Sequence, residues 1–194
     1  MPDTALAAEA PRRFLDVAAR LFARDGYHAV SMRDIARALG VTPGAVYAHF
    51  PSKASVLAAV YADGVERIAA AVDAAIGGAE DPWERLEHAC RGHLEAVLDA
   101  EAGYGSVVTR VLPGEVPGSD DQLVALRDGY EARFRALVAE LPLRAGTDRT
   151  LFRMTLLGAL NWTPVWHGGR GADAGEVARQ LVATLRTGAE EERR

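Results

Sequence analysis

Apolar residues recur at three- and four-residue spacing along almost the whole chain. No stretch alternates every second residue with β-branched enrichment. The pattern predicts an all-α fold of about nine helices. Phe14, Leu15, Ala18, Leu21 and Phe22 form a first apolar stripe, and Gly26 follows as a helix stop. Ser31 caps a new start, with Asp34 three residues on as its capping-box partner. That helix is short: Ile35, Ala36 and Leu39 face inward and Gly40 ends it. Thr42 caps the next, with Pro43 in its first turn, where a missing N–H costs nothing. Phe50-Pro51 ends it.

The spacing then predicts a long alanine-rich helix over 52–76, stopped by Gly77-Gly78, and further helices over 82–101, 103–112, 119–141, 147–167 and 173–189. Residues 113–118 read as a loop. The boundary between a head (1–51) and a body (52–194) is placed at Pro51-Ser52, with the 52–76 helix as the link.

Two short helices around Leu39-Gly40-Val41 make a helix-turn-helix, a shape that lays its second helix in a DNA groove. The side chains fit that use. Tyr47 and His49 lie two apart on the second helix, so they diverge by about 200° and flank it. Lys53 is the single lysine beside 21 arginines. A flexible point charge there suits a phosphate. Arg33 has the fork that reads a guanine edge. Pro43, Gly44 and Ala45 are small, so the backbone can approach the bases, and the Ala45 methyl can meet a thymine methyl. The capped ends at Ser31 and Thr42 gather free N–H groups that favour phosphate.

Charge supports this only after division. Residues 1–60 hold seven basic and five acidic groups, while the remaining 134 hold 15 basic and 22 acidic. A positive head on a negative body directs DNA to one end. With 49% apolar residues the chain can bury a core. No apolar run reaches membrane-spanning length, the N-terminus lacks secretory order, and a single cysteine, Cys90, suits a reducing cytoplasm.

Residues 12–60 resemble the DNA-binding domain of the tetracycline-repressor (TetR) family of bacterial transcriptional regulators. The resemblance rests on Phe14 to Phe22, Gly26, Ser31-Met32-Arg33-Asp34-Ile35-Ala36, Leu39-Gly40-Val41 and Val46-Tyr47-Ala48-His49-Phe50-Pro51-Ser52-Lys53. It implies a two-fold dimer on a palindromic operator. It assigns phosphate contacts to Thr42, Tyr47, His49 and Lys53, and base contacts to Arg33 and the start of the third helix. Many relatives carry polar side chains where this chain has Pro43, Gly44 and Ala45. Discrimination then falls to Arg33, methyl contacts and DNA shape.

The body shows no glycine-rich phosphate loop, nucleophile elbow or HExxH helix, so no enzyme is expected, nor any cofactor or metal. His88-x-Cys90-x-x-His93 is the nearest thing to a catalytic or metal set. Helical geometry separates His88 from Cys90 by about 200° and His88 from His93 by about 140°. His88 and His93 are read as surface or half-buried residues and Cys90 as a small core residue.

The segment 156–171 holds Trp162 and Trp166 four apart on one helical face, with Asn161, His167 and Arg170 around them. Two readings stand: a tryptophan-rich dimer seam, or an aromatic wall for an elongated apolar ligand with an anionic head. Pro164 would kink this helix or end it early. Gly158-Ala159-Leu160-Asn161-Trp162 and Trp166-His167 resemble TetR relatives that sense acyl-CoA thioesters. That resemblance implies Trp162 and Trp166 along an acyl channel and Arg110, Arg153 and Arg170 on the CoA phosphates. The dimer seam is expected on the last two helices, through Leu156, Leu157, Leu160, Val177, Leu181, Val182 and Leu185. The sequence thus predicts a ligand-released repressor. The alternatives are a sensor of drug-like hydrophobes controlling an efflux gene, and a constitutive DNA-binding dimer.

Overall fold

The computed structural model describes residues 4–110, 120–167 and 173–189. Among them the chain forms nine α-helices and no strand: α1 (Thr4–Asp25), α2 (Met32–Leu39), α3 (Pro43–His49), α4 (Lys53–Ile76), α5 (Pro82–Val97), α6 (Tyr104–Arg110), α7 (Asp120–Glu140), α8 (Arg149–His167) and α9 (Ala174–Ala189). No described helix is long and apolar enough to cross a membrane.

The ends follow local chemistry. α5 stops at Val97, short of the sequence expectation. Asp99 Oδ1 accepts from the backbone N–H groups of Glu101 (3.1 Å) and Ala102 (3.0 Å), and this local turn outcompetes the helix. Pro164 does not end α8. It only removes one backbone donor, and the helix runs on to His167.

The described residues pack as two units. One comprises the described residues of Met1–Glu66 and Asp99–Leu126, the other those of Arg67–Leu98 and Arg127–Arg194. α4 and α7 are continuous helices with residues in both units.

In the first unit, α1, α2 and α3 close over Phe14, Ala18, Phe22, Ile35, Ala36 and Val46, all buried. The buried residues of α4, Val56, Leu57 and Val60, belong to the same unit. α6 lies on α1 with no side chain between them at its start. Gly103 has φ +77°, and a Cβ there would stand 3.0 Å from the Ala19 carbonyl oxygen. One helical step on, Tyr104 Oη donates to Asp16 Oδ1 at 2.9 Å.

The core of the second unit is built from Val72, Trp83, Leu86, Cys90, Leu94, Phe134, Val138, Leu141, Phe152, Leu156 and Leu160. Here the sequence reading of the dimer seam needs correction. Leu156, Leu157, Leu160, Val177 and Val182 are all buried inside the chain's own core, and Leu181 and Leu185 pack against it. α8 carries two apolar stripes. Its outer one, Leu151, Met154, Trp162, Val165 and Trp166, is exposed.

His93 also departs from expectation. It is 1% exposed, and its Nδ1 lies 2.6 Å from Tyr130 Oη on α7. Its other ring nitrogen, Nε2, is buried without a hydrogen-bond partner. Burial lowers its pKa to about 4, so the folded chain holds the neutral ring. Protonation therefore favours the unfolded chain, where the group titrates near 6.5. Stability is complete above that value and falls as pH drops from about 6.5 toward 4, by about 2 kcal/mol at pH 5. Urea unfolding of wild type and His93→Leu at pH 7 and pH 5 checks this. The wild type is expected to lose about 2 kcal/mol more than the variant. Equal losses would contradict it. Cys90 is fully buried, and desolvation raises its thiol pKa, which makes it an unreactive core residue.

Candidate nucleic-acid interface

Caps fix the start of α2 and both sides of the turn between α2 and α3. Asp34 N donates to Ser31 Oγ at 3.2 Å, and Ser31 N donates back to Asp34 Oδ2 at 3.0 Å, a complete capping box. The Ser31 hydroxyl, then its backbone N–H, and finally Arg37 hold the Asp34 carboxyl below the usual carboxylate range. Gly40 then takes φ 72°, ψ 29°, a conformation that favours glycine. Its N–H reaches Arg37 O at 3.2 Å, and Val41 N reaches Ala36 O at 3.0 Å, which closes the end of α2. Thr42 Oγ1 accepts from Ala45 N at 3.3 Å and opens α3.

α3 stands on one residue and presents the rest. Val46 is fully buried, and Phe50 stacks on Phe14 with ring centroids 4.8 Å apart. Pro43, Gly44, Ala45, Tyr47, Ala48 and His49 are exposed, as are Thr42 at the cap of α3 and Ser31 and Arg33 at the start of α2. Tyr47 is 53% exposed, so it does not cover the core edge. Arg37 is paired with Asp34 at 2.9 Å, whereas Arg33 makes no ion pair among the described residues. The expected reading residues of α2 and α3 are thus all exposed.

Gly44 has a telling environment. A Cβ there would meet only Thr42 Oγ1, at 4.0 Å. Nothing in the chain itself requires a glycine. Gly44→Ala is expected to leave stability unchanged or raise it by up to about 1 kcal/mol. If bases approach this backbone, operator affinity falls all the same. Thermal unfolding and fluorescence anisotropy on one preparation separate the two effects, and unaltered affinity would remove Gly44 from the reading surface.

Lys53 is placed differently from its sequence assignment. Its ammonium donates to the carbonyl oxygens of Tyr27 (2.9 Å), Val30 (2.9 Å) and His28 (3.4 Å). It also sits 4.3 Å from the Tyr27 ring centroid. All three N–H bonds are engaged, so the group clamps the loop that leads into α2. The distance of 23 to 26 residues between these partners hid the clamp from sequence reasoning.

The residues expected to bind ligand sit in varied surroundings. Trp162 and Trp166 are 63% and 49% exposed on α8, with Asn161 beside them, so they line no channel inside the chain. Arg153 is 7% exposed and bonds Glu131 at 3.0 Å, which leaves it no role on a CoA phosphate. His167 is half-buried at the end of α8, and Arg170 lies outside the described residues. Arg110 is exposed at the end of α6, in the other unit.

A capped helix-turn-helix with an open second helix, inside an all-helical chain, defines a DNA-binding protein. Comparison with known proteins carries this further. Residues 14–60 match the family described as bacterial regulatory proteins, tetR family, and residues 79–189 match the tetracyclin repressor-like C-terminal domain. The chain belongs to the TetR family of transcriptional regulators; it is a DNA-binding regulator and not an enzyme. It is 27% identical over 193 residues to the HTH-type transcriptional repressor KstR of Mycolicibacterium smegmatis, covering 96% of this chain and 92% of that one. Its fold matches the TetR-family regulator PfmR of Thermus thermophilus with a TM-score of 0.77 and 29% identity, over 93% of this chain and all (100%) of the other. It also matches AibR, solved in complex with isovaleryl coenzyme A and operator DNA, with a TM-score of 0.80 over 90% of this chain and 97% of that one. Identity there is 22%, a likeness of fold alone.

Proposed function

We propose that the protein is a ligand-responsive repressor. Two copies bind a palindromic operator in the bacterial cytoplasm and release it when a hydrophobic small molecule, in the first instance an acyl-CoA thioester, binds. The observation that carries the DNA half is the open face of α3 on its buried Val46 anchor. The dimer half rests on the outer stripe of α8, five large apolar residues with exposures from 40% to 65%. A two-fold pair holds its recognition helices about one DNA turn apart, roughly 34–36 Å. The choice of ligand takes its lead from AibR, a structure of like fold solved with isovaleryl coenzyme A, and the titration below is what tests it.

Release requires that the ligand bind one dimer geometry better than the other. α4 runs unbroken from Lys53 beside the head to Ile76, a rigid element through which such a difference reaches the DNA-reading helices. A coupling of about 1–3 kcal/mol would lower operator affinity roughly 5–150-fold. A gel-shift titration of the protein on its own promoter tests this, with isovaleryl-CoA, longer acyl-CoAs and a drug-like cationic hydrophobe as separate arms. A shift toward free DNA with an acyl-CoA is the expected result. Operator binding unchanged at saturating acyl-CoA would rule that class out, and release by the cationic arm alone would move the protein to the efflux-type reading.

A further inference from the structure

Within the first unit, a cleft of about 410 Å³ lies where the end of α1, the loop Gly26–His28, α4 and α6 meet. Its floor is apolar: Phe22, Leu57 and Val107 are 5%, 0% and 3% exposed. Its rim carries Arg24, Asp25, His28, Ser106 and Arg110. The charges on that rim are uneven. Arg24 is tied to Asp25 at 2.6 Å and cancels it. Arg110 has no ion pair among the described residues, so among these the rim keeps one unmatched positive charge above an apolar floor.

We infer that this cleft binds an amphipathic monocarboxylate, a medium-chain fatty acid or an aryl carboxylate, with its tail on Phe22, Leu57 and Val107 and its head on Arg110. The volume lies within the range of small-ligand sites and takes a single short tail. One exposed guanidinium matches one carboxylate, which it can hold through two parallel N–H bonds. A polyphosphate head would need a cluster of cations that the rim does not hold. The Ser106 hydroxyl stands on the same rim as a further donor.

The position has a consequence for DNA binding. One wall of the cleft is formed by Gly26, Tyr27 and His28, and the carbonyls of the last two are held by Lys53. A ligand there rests on the loop that leads into α2. This inference builds on the reading of the protein as ligand-controlled, but it assigns a different site and a smaller ligand than a CoA thioester.

Isothermal titration with decanoate, decylamine and decanol tests it on the full chain. Decanoate is expected to bind with a Kd below about 1 mM, decanol more weakly, and decylamine not at all. Arg110→Glu should weaken decanoate at least about tenfold, the loss of one charge-assisted contact. Ala23→Trp, which fills the cleft from its half-buried wall, should abolish binding, and decanoate chemical-shift changes should centre on Tyr27 and Val107 in the wild type. Far-ultraviolet circular dichroism confirms that each variant folds. No decanoate binding to wild type, or undiminished binding to both variants, would overturn the site. Decanoate binding lost in Arg110→Glu while acyl-CoA leaves the operator complex intact would uphold this site and sink the acyl-CoA reading instead.

Discussion

Replacing Trp162 with glutamate is expected to give a folded monomer that has lost its operator. Trp162 is 63% exposed and lies outside the buried core, so the unfolding midpoint should barely move. In a two-fold interface the same substitution appears twice, and it places two carboxylates in an apolar seam beside Val165 and Trp166. Truncating a central aromatic anchor typically costs about 2 kcal/mol or more, and burying a charge costs further. A monomer engages one half-site only. The loss of the linked second contact lowers operator affinity by about 10²–10⁴-fold. Light scattering and anisotropy on one sample measure both. Leu160→Glu provides the contrast: Leu160 is fully buried, so that variant should fail to fold rather than dissociate. A Trp162→Glu protein that stays dimeric would move the interface away from α8.

Lys53→Met should weaken the operator without altering how binding responds to salt. The substitution keeps the apolar stem and removes the donors to the Tyr27, His28 and Val30 carbonyls. Leaving partly buried carbonyls without partners costs about 1–3 kcal/mol, which should appear as lost stability and a looser approach to α2. A phosphate contact behaves otherwise. Each one neutralised contributes about 0.9 to the slope of log K against log salt, so losing one per half-site would flatten the slope by about 1.8 per dimer. Arg33→Ala is the internal comparison, because its side chain is exposed and has no ion pair among the described residues. A flattened slope with wild-type stability in Lys53→Met would return Lys53 to the phosphate-binding set.

Much of the head was legible because its signals are local. Ser31 with Asp34, Gly40, and Thr42 with Pro43 each act within a few residues, and the structure shows each in its expected cap. The Lys53 clamp was not legible because its partners lie 23 to 26 residues away, and spacing along one helix carries no trace of them. His93 was misplaced for the same reason: its partner Tyr130 stands 37 residues on, on another helix. The expected ligand residues were gathered by chemical type from helices whose facing the sequence does not give. Arg153 alone shows this, since the acid that engages it, Glu131, lies 22 residues upstream.

Local signals were enough to set the helical segments, the caps around α2 and α3 and the surface that α3 presents, because periodicity and capping act within one turn. Which of the two apolar stripes of α8 joins the chain's own core was settled only by the packing of the other helices around it. Leu156 and Leu160 lie on the covered stripe, Trp162 and Trp166 on the open one. Helical spacing cannot separate them, since a buried stripe and a partner-seeking stripe satisfy the same period and differ only in what the neighbouring helices cover.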